Sequence, residues 1–217
     1  MIDKDKAQMF INRGYIIDNK RVNKLILANT IMYLFSIMSL LVNQDHLLLI
    51  IYSILFSIYL FINIYLKIYD KCEFKNNLFM YGLSFLFLVI NANILIYSGL
   101  SIIQSFNNLL FLMAIVFQII IFIIFIIIMR NIAYNKRNKE YKAVPFVSTG
   151  VGYIAYFIAK DLSKVPQENG ALIINISFYT AIVLTLYKLS NLVLKWYLAK
   201  KFDINEYSNI NNNDELF

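Results

Sequence analysis

The stretch LLFLMAIVFQIIIFIIFIIIM, residues 109–129, decides the fold. It carries no charge, and its one polar side chain is Gln118. Apolar residues occur on every side of a helix drawn through it, without the alternation of a barrel strand. A helix rises 1.5 Å per residue, so about 20 residues cross a hydrocarbon core of roughly 30 Å. The stretch therefore reads as a transmembrane helix. Gln118 is its midplane amide, expected to turn inward while most of the remaining surface faces lipid.

Five further runs qualify on the same grounds: 25–42, 47–66, 78–99, 143–160 and 171–194. The chain is 60% hydrophobic over 217 residues, against about 45–50% for a soluble domain. The fold class is all-α: a polytopic integral membrane protein with six transmembrane helices. Residues 1–24 form an N-terminal segment, 25–194 the membrane domain, and 195–217 a polar, asparagine-rich tail expected to be disordered. Within 6–17, Met9, Phe10, Tyr15, Ile16 and Ile17 alternate with charged and polar residues. That pattern suits a short helix lying on the membrane surface, or a solvated arm. No small-residue cleavage site follows the first apolar run, which is read as a retained span. The bias toward Ile, Asn, Lys, Tyr and Phe is that of an AT-rich, bacterial genome.

The charges set an orientation. Of the 20 Lys and Arg, all but Lys160 and Lys164 flank the spans on the side that also carries both termini. The positive-inside rule places that side, and both termini, in the cytoplasm of a cell-membrane protein. Tyr65, Tyr69, Tyr134, Tyr141, Trp196 and Tyr197 gather at the same edge, and Tyr97 at the other. The net charge of +7 is thus explained by topology and by anionic inner-leaflet lipid, and no nucleic-acid partner is expected.

The interior of the spans is poor in chemistry. None of the 13 Asp and Glu falls inside a span, and Lys188 is the only basic residue that does, near an end from which it can snorkel. One cysteine, Cys72, excludes an intramolecular disulfide, and one histidine, His46, cannot build a zinc site alone. Asp45 and His46 read as a polar hairpin turn. No nucleophile elbow, phosphate-binding loop or dinucleotide fingerprint occurs. No catalytic residue, metal site or cofactor is expected.

The remaining candidates are amides, small residues and one loop. Asn91, Asn93, Gln118 and Asn175 can form a polar pocket among the helices, or act only as interhelical hydrogen-bond glue. Asn91 and Asn93 point roughly 200° apart on a helix, so both serve one pocket only if protein surrounds that span. In VPFVSTGVGYIAYFIAK, residues 144–160, Ser148, Gly152, Ala155 and Ala159 share one helical face of small residues. Such a face permits close helix approach and marks the fifth span as the central packing helix. Its TGVGY letters resemble a potassium filter but lack the filter's order and preceding pore helix. The one charged exterior loop offers Lys160, Asp161, Lys164 and Glu168 as an outer contact.

The size, span number and orientation are similar to those of substrate-binding components of vitamin transporters. The first span lacks the Ala-x-x-x-Ala pattern that would carry the resemblance further. The expected function is therefore a non-catalytic membrane protein that packs against a membrane or secreted protein. An immunity-type protein against a membrane-acting toxin or bacteriocin, or an accessory subunit of a membrane complex, fits. A homo-oligomer is compatible. The alternative is a transport component that binds a small neutral or polar solute among the helices.

Overall fold

The computed structural model describes residues 2–13, 17–69, 73–100, 108–134 and 167–207, and side chains in the last helix from 178 onward. Every element among them is an α-helix, and no strand occurs among the described residues. The helices are α1 (Lys4–Asn12), α2 (Asn19–Val42), α3 (His46–Tyr69), α4 (Glu73–Leu100), α5 (Asn108–Tyr134) and α6 (Gln167–Lys201). Four of them are long and apolar enough to cross a membrane: Asn19–Val42, His46–Ile68, Phe74–Gly99 and Phe111–Tyr134. The expected fifth span lies outside the described residues, and the expected sixth falls within α6.

Polar residues set the helix ends, which is why the helices outrun their apolar runs. Asp3 and Asp18 cap α1 and α2, each carboxylate accepting a 2.8 Å hydrogen bond from the N–H three residues on, at Lys6 and Arg21. α2 ends in a Schellman motif: the Asp45 N–H donates to Leu40 O and the Gln44 N–H to Leu41 O, with Gln44 at φ 57°. Asp45 follows at once as the cap of α3, its Oδ1 accepting from the Leu48 N–H. One short turn thus closes one helix and opens the next. α6 ends the same way, with Ile204 N–H donating to Ala199 O and Asp203 at φ 49°.

Among the described helices α4 is the central one. It packs against α6, α2 and α3, while α5 lies against α6. The exposed faces of α2, α3 and α5 are almost wholly apolar, with residues such as Leu34, Met38, Phe61, Phe117 and Ile124 turned outward. α5 is the least enclosed of the long helices, as its all-round apolar sequence anticipates. α4 and α6 come together at Gly82, where a Cβ would sit 3.8 Å from Leu192 Cβ.

At the end where α6 finishes, α1 folds back over the ends of α5 and α6 and buries Ala7, Phe10 and Ile11 in the main core. It is therefore packed against the end of the bundle and is not a solvated arm. Part of the expected disordered tail is also folded. α6 runs to Lys201, Ile204 is buried, and Tyr207 makes an edge-to-face contact with Phe74. The Ile17 N–H donates to the Tyr207 hydroxyl at 3.0 Å. Lys188 is exposed, its ammonium 6.0 Å from the Phe85 ring centroid.

Candidate functional site

The amides of the apolar helices divide into two sets because α4 has protein on two sides. Asn91 faces α2 and α3 and is fully buried. Its Nδ2 donates to Asn29 Oδ1 at 3.2 Å, and its Oδ1 accepts from the Tyr52 hydroxyl. Asn29, also 0% exposed, donates to Ser84 O at 2.8 Å, and the Tyr59 hydroxyl bonds Ser84 Oγ at 2.9 Å. Tyr52, Tyr59 and Phe87 stack beside this network, with Tyr33 and Phe56 continuing the aromatic layer. Each polar tip is met by another, so the network ties three helices and leaves little to offer a ligand.

Asn93 points the other way, toward α5. It and Gln118 exchange two hydrogen bonds of 2.9 Å, Nδ2 to Oε1 and Nε2 to Oδ1. Asn93 Nδ2 also reaches Val89 O at 2.9 Å. Gln118 is 7% exposed, while Val116, Phe117, Ile119 and Ile120 beside it are exposed. The structure thus joins Asn93 to Gln118 and places Asn91 elsewhere. Asn175 lies on α6 with its side chain outside the description. Ser148, Gly152, Ala155 and Ala159 lie outside the described residues, as do Lys160, Asp161 and Lys164. Glu168 is in the first turn of α6, its side chain likewise outside the description.

Beside the Asn93–Gln118 pair runs a groove of about 810 Å³. α3 and α5 form its walls, with Leu48, Ile51, Phe111, Ile115, Ile119 and Phe122. α4 and α6 form its floor, with Val89, Ile90, Ile94, Leu186 and Leu189. The lining is almost wholly apolar apart from the amide pair and, at one mouth, Asp45 and Tyr97. There the Tyr97 hydroxyl donates to Asp45 Oδ2 at 3.3 Å while Oδ1 holds the α3 N-terminus. The same corner is tied down by Asn43 Nδ2 donating to Ser98 O and Ser39 Oγ to Ser98 Oγ.

A second polar site lies at the opposite end. Lys195 is 5% exposed, and its ammonium donates to Ile11 O at 2.9 Å and to Arg13 O. It caps the carbonyl end of α1, where the helix dipole favours a cation. Burial, helped by the nearby Arg13 charge, brings its pKa down to about 8. Nearby, the hydrogen bond and charge of Lys75 hold the exposed Asp203 carboxyl below its ordinary value.

Asp45, Tyr97 and Lys195 were not anticipated as positioned groups. For Asp45 the signal was present: an Asp three residues before the donor that it caps, at the head of an apolar run. Among the described residues no group of three His, Cys, Asp or Glu is placed to hold a metal. No protein-family model matches the chain, and neither curated proteins nor solved structures yield a match.

Proposed function

We propose that the chain is a six-span, non-catalytic membrane protein of the cell membrane, with both termini cytoplasmic, that works by seating a helix of another protein in the groove between α3 and α5. The charge asymmetry supports the orientation, and the lack of intramembrane acids, histidine and nucleophile motifs supports a role without chemistry. The groove carries the reading. Leu86 to Tyr97 spans about 16 Å of α4 at 1.5 Å per residue. The groove measures about 810 Å³. Its floor amides already satisfy each other, so an apolar helix face meets no orphaned polar group. An immunity-type protein against a membrane-acting toxin, or an accessory subunit of a membrane complex, works this way.

A transport component binding a small solute is the second reading, favoured by the fact that Asn93 and Gln118 line the groove. It requires that the pair open to bind. The two readings separate by photo-crosslinking in the native host. Probes at Ile51, Ile115 and Ile119 should yield one discrete protein adduct, while probes at Leu34 and Met38 on α2 yield lipid adducts alone. Identical adducts from both sets would refute docking in the groove. Stabilisation by a solute, lost in Asn93→Leu, would favour the transport reading.

A further inference from the structure

We infer that the helix seated in the groove carries Lys or Arg at the end that meets Asp45, and is a cationic peptide that inserts from outside the cell. This rests on the docking role and orientation proposed above, and it names the partner's chemistry. Among the described residues Asp45 is the one charged side chain lining the groove, and it stands at a mouth rather than in the middle. Its carboxylate is fixed in place from two sides, by the Leu48 N–H and the Tyr97 hydroxyl, and keeps acceptor capacity on both oxygens. It is partly exposed, so a cation can reach it. The other polar lining groups are neutral. A partner with an acid at this position is repelled, one with a neutral residue is tolerated, and one with a base gains a charge-assisted hydrogen bond.

Topology then narrows the partner. Helices inserted by the cell's own machinery keep their Lys and Arg on the cytoplasmic side. Asp45 sits at the opposite end of the bundle from α1 and the basic end of α6. A helix that presents a base there runs against that rule. Peptides that enter from the exterior are rich in Lys and Arg on one face, with an apolar face to bury, and their charges stay on the side from which they came. Such a peptide brings its apolar segment to the groove and its cation to Asp45.

The test uses the full chain in vesicles of phosphatidylcholine, which carry no net charge to attract peptides. A donor fluorophore goes on Val42→Cys in a Cys72→Ser background; Val42 is 78% exposed beside the mouth. Three acceptor-labelled Leu-Ala helices of about 20 residues, long enough to span, are added from outside, ending in lysines, serines or glutamates. The lysine peptide should bind about fivefold tighter than the serine peptide, and the glutamate peptide more weakly than both. Asp45→Asn, which keeps a capping side chain, should bring the three together. Tyr97→Phe should narrow the difference without abolishing it. Ile119→Trp, which fills the groove, should weaken all three. Equal binding of the three peptides to the wild type overturns the charge inference while leaving the groove reading intact. Binding that is absent, or indifferent to Ile119→Trp, overturns both.

Discussion

Lys195 offers the sharpest test of the packing at the basic end. Its ammonium is enclosed by α1 and α6 and meets backbone carbonyls. With its pKa lowered from 10.5 to about 8, the folded protein releases a proton that the unfolded chain still holds between those values. The unfolded state binds more protons in that window, so stability rises with pH there and is flat below pH 8. Each pKa unit is worth about 1.4 kcal/mol, giving a rise of about 2.5 kcal/mol by pH 10. In Lys195→Met the titrating group is gone, and this rise should vanish. Its stability near pH 7 is a balance between relief of a buried charge and loss of the α1 cap, so the pH slope is the cleaner observable. The assay is equilibrium unfolding in mixed micelles at several pH values from 7 to 10, followed through Trp196, the single tryptophan. Wild type and variant are compared at each pH so that all other titrations cancel. Parallel curves across the range would show that Lys195 titrates as a solvated lysine and would refute its enclosure beneath α1.

Other substitutions test separate parts of the structure. Asn93→Leu should destabilise by about 1–2 kcal/mol by stranding Gln118, whereas Asn93→Leu with Gln118→Leu should recover most of the loss; additive losses in a double-mutant cycle would show that the pair does not act as one unit. Gln44→Gly should stabilise by about 1 kcal/mol, because only glycine takes the left-handed C′ position without strain; an unchanged or lowered unfolding midpoint would count against the Schellman turn. Gly82→Ala should be neutral or slightly stabilising, since its Cβ meets Leu192 at ordinary contact distance, while Gly82→Leu should drive α4 and α6 apart and lower folded yield; equal yields would place no close contact there.

Helix content and the inward turn of Gln118 were legible because each depends on local pattern alone. One amide in an otherwise apolar helix has one energetically acceptable direction, and Gln118 took it. The divergence of Asn91 and Asn93 was legible for the same reason, since helical geometry fixes about 200° between them. Which neighbour each would meet was not. Choosing between Tyr52 on α3 and Gln118 on α5 depends on how six surfaces fit, and periodicity does not encode that fit. The central position of α4 among the described helices was hidden in the same way. Gly82, Ser84 and Ala92 of α4 are spread among aromatic residues and form no stripe of small residues in the sequence. Lys195 was hidden for another reason. A basic residue at the end of an apolar run has the pattern of a solvated headgroup lysine, and only the return of α1 from the far end of the chain encloses it.

The two walls of the groove are held unequally, and this bears on how a partner would be accommodated. α3 is joined to α2 and α4 by the Asn29–Tyr59–Ser84 and Tyr52–Asn91 bonds, by the aromatic layer, and by Asp45 at its cap. Displacing it breaks several buried hydrogen bonds together, each leaving a polar atom in apolar surroundings. α5 meets α4 through the reciprocal amide pair and the Tyr97–Phe111 ring contact, α6 through apolar contact, and α1 at its far end, where Lys6 lies over Tyr134. Sliding an apolar helix against another exchanges one apolar neighbour for a similar one, lipid or protein, at little loss. A helix seated there, as proposed, would meet in α3 a wall tied by more buried hydrogen bonds than α5. The Asn93–Gln118 pair is the reciprocal hydrogen-bonded tie on that side. Its double-mutant coupling, measured with and without a bound helix, reports whether α5 moves: coupling that falls on binding means the wall has opened, and unchanged coupling means the groove was shaped for its partner beforehand.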